Sequence, residues 1–194
     1  MDNRRRCFNT TGVCDSQLHY MVDIRDKLEK IKQLVDSGAY FTINRARQYG
    51  KTTTIQALTV YLEKDYVVIP LDFQKIGNEE FAEATIFSKA FVRYLFRKIR
   101  NRKFPIKGLN EDVLNRMESS SKADDLFSLS KLFEHLNDMC DTAEKPVVLI
   151  IDEVDSATNN QVFLDFLAQL RSGYLERKTV STFHPCRCLR CEKY

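Results

Sequence analysis

Apolar and polar positions along this chain switch between a helical and a strand period, and the switches mark out an alternating order of elements. Ile24, Leu28, Ile31 and Val35 are spaced for one buried helix face, with Asp23 as the expected N-cap and Gly38 as the stop. Residues 40–43, Tyr-Phe-Thr-Ile, are aromatic and β-branched and read as a buried strand. Gly50-Lys51-Thr52 then opens a helix carrying Ile55, Leu58 and Leu62 on one face. Residues 66–73 read as a second strand, and Pro70, lacking an N–H, puts it at a sheet edge or ends it there. A helix over 81–100 carries Phe87, Phe91, Tyr94, Leu95 and Ile99 on one side. Residues 104–122 hold a Pro, a Gly and a Ser triplet and read as a surface connection around a short helix. The next helix, over 124–140, is expected to bury Leu126, Leu129, Phe133 and Leu136. Val147-Val148-Leu149-Ile150-Ile151 is apolar throughout, which suits a strand buried on both faces of a parallel sheet. A last helix over 159–177 presents Phe163, Phe166, Leu167, Leu170 and Tyr174.

The order strand, loop, helix start over 40–54 is the context a phosphate-binding loop requires. At a helix N-terminus several backbone N–H groups lack intrahelical partners and the dipole's positive end faces outward, so amides hold a polyphosphate before any side chain helps. Lys51 is then expected to reach the β- and γ-phosphates, and the Thr52 hydroxyl to ligate Mg²⁺. In the pattern G-x-x-x-x-G-K-[ST] the first glycine falls at Arg45, so only the second half of the motif is intact. Gly-Lys-Thr alone fits an ordinary helix start equally well. The apolar run ending in Asp152-Glu153 shifts the balance, because acids at the C-terminal end of a parallel strand stand where such sheets bind ligands. Asp152 is suited to hold Mg²⁺ through water, and Glu153 to orient or deprotonate an attacking water. Alone, this run reads rather as a core strand followed by an acidic turn; the two motifs in this order favour a nucleotide site.

Arg45-Ala46-Arg47-Gln48-Tyr49-Gly50-Lys51-Thr52 resembles the Arg-x-Arg-x-x-Gly-Lys-Ser/Thr loop of bacterial AAA-like ATP-binding proteins, relatives of archaeal-type and STAND-like ATPases, in which the missing first glycine is normal. Phe8-Asn9-Thr10-Thr11-Gly12 and His19-Tyr20-Met21-Val22-Asp23 also look like the start of that family's domain, so the resemblance runs to about Arg177. It implies an α/β fold, the P-loop NTPase three-layer sandwich with a mainly parallel sheet, whose P-loop and Walker B strands are separated by another strand. It implies ATP and Mg²⁺ as cofactors. Arg45, Arg47, Gln48, Tyr49, Gly50, Lys51, Thr52 and Thr53 would surround the phosphates, Thr52 and Asp152 would hold the metal, and Lys51 and Glu153 would be the catalytic pair. An extended segment within 1–22 would strap the adenine, making His19, Tyr20 and Met21 candidate base contacts; Tyr20 and Met21 packing beneath the first helix is the plainer alternative. The expected division is 1–22 as this strap, 23–178 as the ATPase core and 179–194 as an atypical tail.

That tail carries His184-Pro185-Cys186-Arg187-Cys188-Leu189-Arg190-Cys191 where the family would supply an apolar strand with a polar sensor of the γ-phosphate. Pro185 cannot donate to a ladder, and Arg187 and Arg190 would bring charge into a strand buried on both faces. The expectation is therefore a chain truncated or frame-shifted at its C-terminus, and a sheet incomplete there, with its central strand missing. His184, Cys186, Cys188 and Cys191 offer four soft ligands for zinc, though without a second, separated ligand pair.

Composition adds bounds. At 194 residues and 43% hydrophobic content the chain is long enough for one domain with its own core. Thirty basic against 27 acidic residues, a net charge of +3, is too balanced to argue for a nucleic-acid or membrane partner. No apolar run approaches the ~18 residues of a membrane span, no signal-peptide core follows Arg4-Arg5-Arg6, and the six scattered cysteines do not form a secreted disulfide framework, so a cytoplasmic location is expected. The densest basic cluster is Arg93, Arg97, Lys98, Arg100, Arg102 and Lys103. It leaves a second reading open, a non-catalytic binding module for nucleic acid or a protein partner, or a self-associating one; cations at a helix C-terminus are also favoured by the dipole alone.

Overall fold

The structure, a computed structural model, describes residues 20, 23–44, 50–101, 103–153, 157, 159–176 and 187–192. Six helices, α1 Arg25–Asp36, α2 Lys51–Leu62, α3 Ala84–Ile99, α4 Glu111–Ala123, α5 Leu129–Asp141 and α6 Gln161–Glu176, surround four strands, β1 Phe41–Asn44, β2 Val67–Asp72, β3 Val147–Asp152 and β4 Arg187–Glu192. All pairings are parallel and the strand order is β1-β4-β3-β2.

Side-chain alternation along the strands separates two cores. Val67, Ile69 and Leu71 of β2, with Val147, Leu149 and Ile151 of β3, pack with apolar residues of α3, α4, α5 and α6. Val68, Val148 and Ile150 pack instead with Leu28, Ile31 and Val35 of α1 and Ile55, Leu58 and Leu62 of α2. A strand has period two, so adjacent residues in opposite cores mean that helices cover both faces of the sheet.

β2 lies at the sheet edge, as Pro70 predicts. The Val67 N–H donates to the Pro146 carbonyl at 3.0 Å, so positions 67, 69 and 71 direct their backbone groups at β3 and position 70 directs its own to the open side. The proline therefore removes no ladder bond.

α1 begins one residue later than expected. Ile24 holds the N-cap position, and Asp23 accepts from the Arg25 N–H at 3.0 Å while gripping its guanidinium at 2.6 Å. The hydrogen bond from the Arg25 side chain holds the Asp23 carboxyl down at about 2. Gly38, at φ 67°, ends the helix: its N–H donates to Val35 O and the Ala39 N–H to Leu34 O, both at 2.9 Å, the paired bonds of a Schellman stop.

Three expectations are corrected. The 104–122 connection contains a full helix, α4, capped by Asn110 Oδ1 at 2.9 Å from the Asp112 N–H and burying Val113, Leu114 and Met117. The following helix starts at Leu129 rather than 124, capped by Ser128, which leaves Leu126 77% exposed. The third concerns the sheet: the place between β1 and β3 is not vacant. β4 fills it, with Leu189 opposite Phe41 on one side and Ile150 on the other. Pro185 lies outside the described residues.

Candidate functional site

α2 starts from Gly50, whose φ of 68° and ψ of 30° lie in the left-handed region. An L side chain is strained there whatever the space around it, and a Cβ added at Gly50 would meet nothing within 4 Å. Glycine is thus required by the backbone turn, and among the described residues nothing fills the volume beside it. The Thr54 N–H and Thr54 Oγ1 both donate to the Gly50 carbonyl at 2.9 Å, which closes the first turn. At any helix start the first amides lack a partner one turn earlier within the helix, which is what makes such a start a place for anions. Lys51 is the first residue of α2; Thr52 is exposed and Thr53 half-buried. Arg45, Arg47, Gln48 and Tyr49 lie outside the described residues.

The carboxylates come from the end of β3. Ile151 is level with Arg190 and Ile43 with Cys191, so Asp152 stands level with Ile43 across β4. The ends of β1 and β3 therefore share one edge, two strand spacings or about 10 Å apart. Asp152 is half-buried and its Oδ1 accepts from the Glu153 N–H at 2.8 Å. Glu153 has φ 58°, the one positive φ on a non-glycine residue among those described. Such a conformation costs about 1–2 kcal/mol, and strain of this kind collects at functional sites.

One neighbour was not anticipated. Asp72 ends β2 opposite Asp152, so two carboxylates stand side by side on the same edge. Asp72 accepts from the Gln74 N–H at 3.1 Å and pairs with Lys75 at 3.2 Å. The sequence did hold the signal: Val-Val-Ile-Pro-Leu-Asp and Val-Val-Leu-Ile-Ile-Asp share a length and a terminal Asp, and the six positions pair one to one. Phe73 anchors this corner, with Phe163 of α6 at 5.2 Å and Phe91 of α3 at 6.2 Å between ring centroids.

Of the expected base contacts, Tyr20 is 56% exposed, and His19 and Met21 lie outside the described residues. Within the basic cluster, Arg93 pairs with Glu80 at 2.6 Å, and Arg100 with Glu118 at 2.7 Å and Glu111 at 3.5 Å, so these cations face carboxylates of their own fold. Arg102 is outside the described residues. For the zinc alternative, His184 and Cys186 are likewise outside, while Cys188 and Cys191 belong to β4. Among the described residues no group of three or more His, Cys, Asp or Glu is arranged to hold a metal ion. Nor is any described helix long and apolar enough to cross a membrane.

A family model described as an AAA-like domain matches residues 12–189. The chain belongs to the AAA-like domain family. Its match runs into β4, so the family's extent agrees with a sheet that includes that strand. Comparison with curated proteins and comparison with solved structures each gave no match. An AAA-like domain is a nucleotide-binding domain of the ATPase type, and in this one the C-terminal ends of β1 and β3 share the sheet edge where open parallel sheets bind ligands.

Proposed function

We propose that this AAA-like domain binds ATP with Mg²⁺ at the C-terminal edge of the sheet and hydrolyses it, within a P-loop sandwich made of residues 23–178 and β4, with 1–22 strapping the base. The observation that carries the reading is that the end of β1, the strand that precedes the glycine-led α2, stands level with Asp152 and is separated from it by one strand. The residues fit the group. Amides at the start of α2 cradle the phosphates, the open volume over Gly50 admits them, and Lys51 with Arg45 and Arg47 neutralises their charge. Gln48, Tyr49 and Thr53 complete the loop around them. Mg²⁺, held by Thr52 and through water by Asp152, supplies positive charge at the β- and γ-phosphates. Glu153, fixed by its left-handed backbone next to Asp152, orients the attacking water and accepts its proton. A cytoplasmic location follows from the need for ATP.

Two variants test the reading. Lys51→Ala should lower ATP affinity by at least about tenfold, because removing the ammonium leaves phosphate charge uncompensated; equal affinity in calorimetry with Mg²⁺ would remove the site from α2. Glu153→Gln should retain ATP binding and slow hydrolysis by about 10²-fold or more, since water positioning matters in the transition state more than in the ground state. Equal turnover would take Glu153 out of the mechanism. The reading as a nucleic-acid or partner module is disfavoured by the internal pairing of Arg93 and Arg100.

A further inference from the structure

Between α3 and the C-terminal end of β2 lies a cavity of about 280 Å³ whose polar lining is Asp72, Lys75, Tyr94, Arg97, Lys98 and Asn101. Three cations face it and one carboxylate, so its formal charge is +2. Asp72 is engaged with Lys75 at 3.2 Å, and the Arg97 guanidinium lies over the Tyr94 ring at 4.9 Å, a stack that holds its fork in place. Lys98 is half-buried and, among the described residues, its ammonium has no hydrogen-bond or ion-pair partner. Burial first, and then the repulsion of Lys75, pushes its ammonium below the usual lysine range, with Arg97 adding to the repulsion and Asp72 opposing it. A fold that gathers three cations around a cavity and pairs only one of them leaves a site that a dianion would complete. By contrast, in the larger cavity of about 450 Å³ at the other end of the sheet, Lys145 already donates to the Glu63 and Lys64 carbonyls.

We propose that this cavity binds the phosphate group of a small molecule, with Lys98 and Arg97 as direct donors, Lys75 as supporting charge and Asn101 as a neutral donor. The volume falls at the lower end of the ~300–1,000 Å³ of ordinary ligand sites, which suits a phosphate monoester rather than a nucleoside triphosphate. It is separate from the start of α2: β2 is three strand spacings, about 14 Å, from β1. The proposal therefore stands whether or not α2 binds ATP.

The test is titration of the full chain with inorganic phosphate and, separately, with malonate, in the parent, Lys98→Met and Lys98→Arg. Methionine keeps the unbranched stem as far as Cε while removing the ammonium, and it suits a half-buried position, so the variant is expected to fold. The expected result is phosphate binding weakened about tenfold or more by Lys98→Met and within about threefold of the parent in Lys98→Arg, with ATP affinity equal in all three. Lysine ε-¹³C shifts should show the Lys98 resonance moving on addition of phosphate. Phosphate binding equal in parent and Lys98→Met would overturn the site, as would an unmoved Lys98 resonance at saturating phosphate. Malonate binding as tight as phosphate would overturn the assignment to a phosphate group.

Discussion

β3 and β4 run side by side, each between two parallel neighbours, and they hold their positions on different grounds. β3 is Val-Val-Leu-Ile-Ile-Asp, and its first five side chains are all buried, divided between the two cores. β4 is Arg-Cys-Leu-Arg-Cys-Glu, and its claim to the sheet is the backbone: four positions pair with β1 and four with β3. Leaving those neighbours without it would strand buried N–H and C=O groups at roughly 1–3 kcal/mol each, a large part of the ~5–15 kcal/mol that holds a domain together. A central strand is thus selected by the ladder it completes as well as by the oil it carries.

Proline substitution separates the two grounds most sharply. In the native chain Pro70 sits in β2 with its missing N–H directed to the open side. Leu189→Pro in β4 meets neighbours on both sides, so it should be the most damaging single change, abolishing the cooperative thermal transition or lowering its midpoint by more than about 10 °C. Ile150→Ala in β3 keeps the ladder and removes buried apolar volume, which should cost about 2–4 kcal/mol in urea unfolding. Should the proline variant prove the milder of the two, β4 would not be a two-sided strand.

A smaller effect is expected where the chain enters α2. Gly50→Ala meets no atom of the described residues within 4 Å of the added Cβ, so the left-handed backbone is the penalty expected, about 1 kcal/mol of stability. A loss of more than about 3 kcal/mol in urea unfolding would mean that this volume is filled rather than open.

The smallest effect is at the start of α1. Arg25 holds the Asp23 carboxyl at about 2, below its ordinary 3.8. A depressed carboxylate stabilises the fold fully above its unfolded value, and that contribution fades as pH falls through about 2. The stability difference between parent and Asp23→Asn should therefore be constant from pH 7 to 5 and vanish between pH 4 and 2. A difference that grows in acid would reverse the assignment.

These contrasts also explain what could be read from the chain by itself. α1, β3 and the stop at Gly38 were legible because burial periodicity and a turn residue pointed the same way. Pro70 announced an edge because backbone chemistry leaves it little else. α4 was obscured by Ser119, Ser120 and Ser121, which read as a loop, although Ser121 is buried and its hydroxyl donates to the Glu118 carbonyl at 2.8 Å. Leu126 misled because it matches the helical spacing of α5 yet lies before the Ser128 cap. β4 was illegible because pairing acts on groups every residue carries, while the expectation was drawn from side chains. Gly50 and Asp152 were singled out by their motifs; Asp72 was passed over because its signal, the likeness of residues 67–72 to 147–152, shows only when two distant segments are compared.

Amide hydrogen exchange across the whole chain, with and without ATP and Mg²⁺, tests the central claim most directly, that β4 unites the start of α2 and the end of β3 into one nucleotide-binding edge. Without nucleotide, amides of residues 188–191 should exchange as slowly as those of β1 and β3, and with nucleotide the amides of residues 50–54 and 152–153 should slow further while β2 changes little. Exchange of 188–191 at the rate of an unstructured chain while β3 stays protected, or protection by nucleotide that bypasses 50–54, would contradict the account.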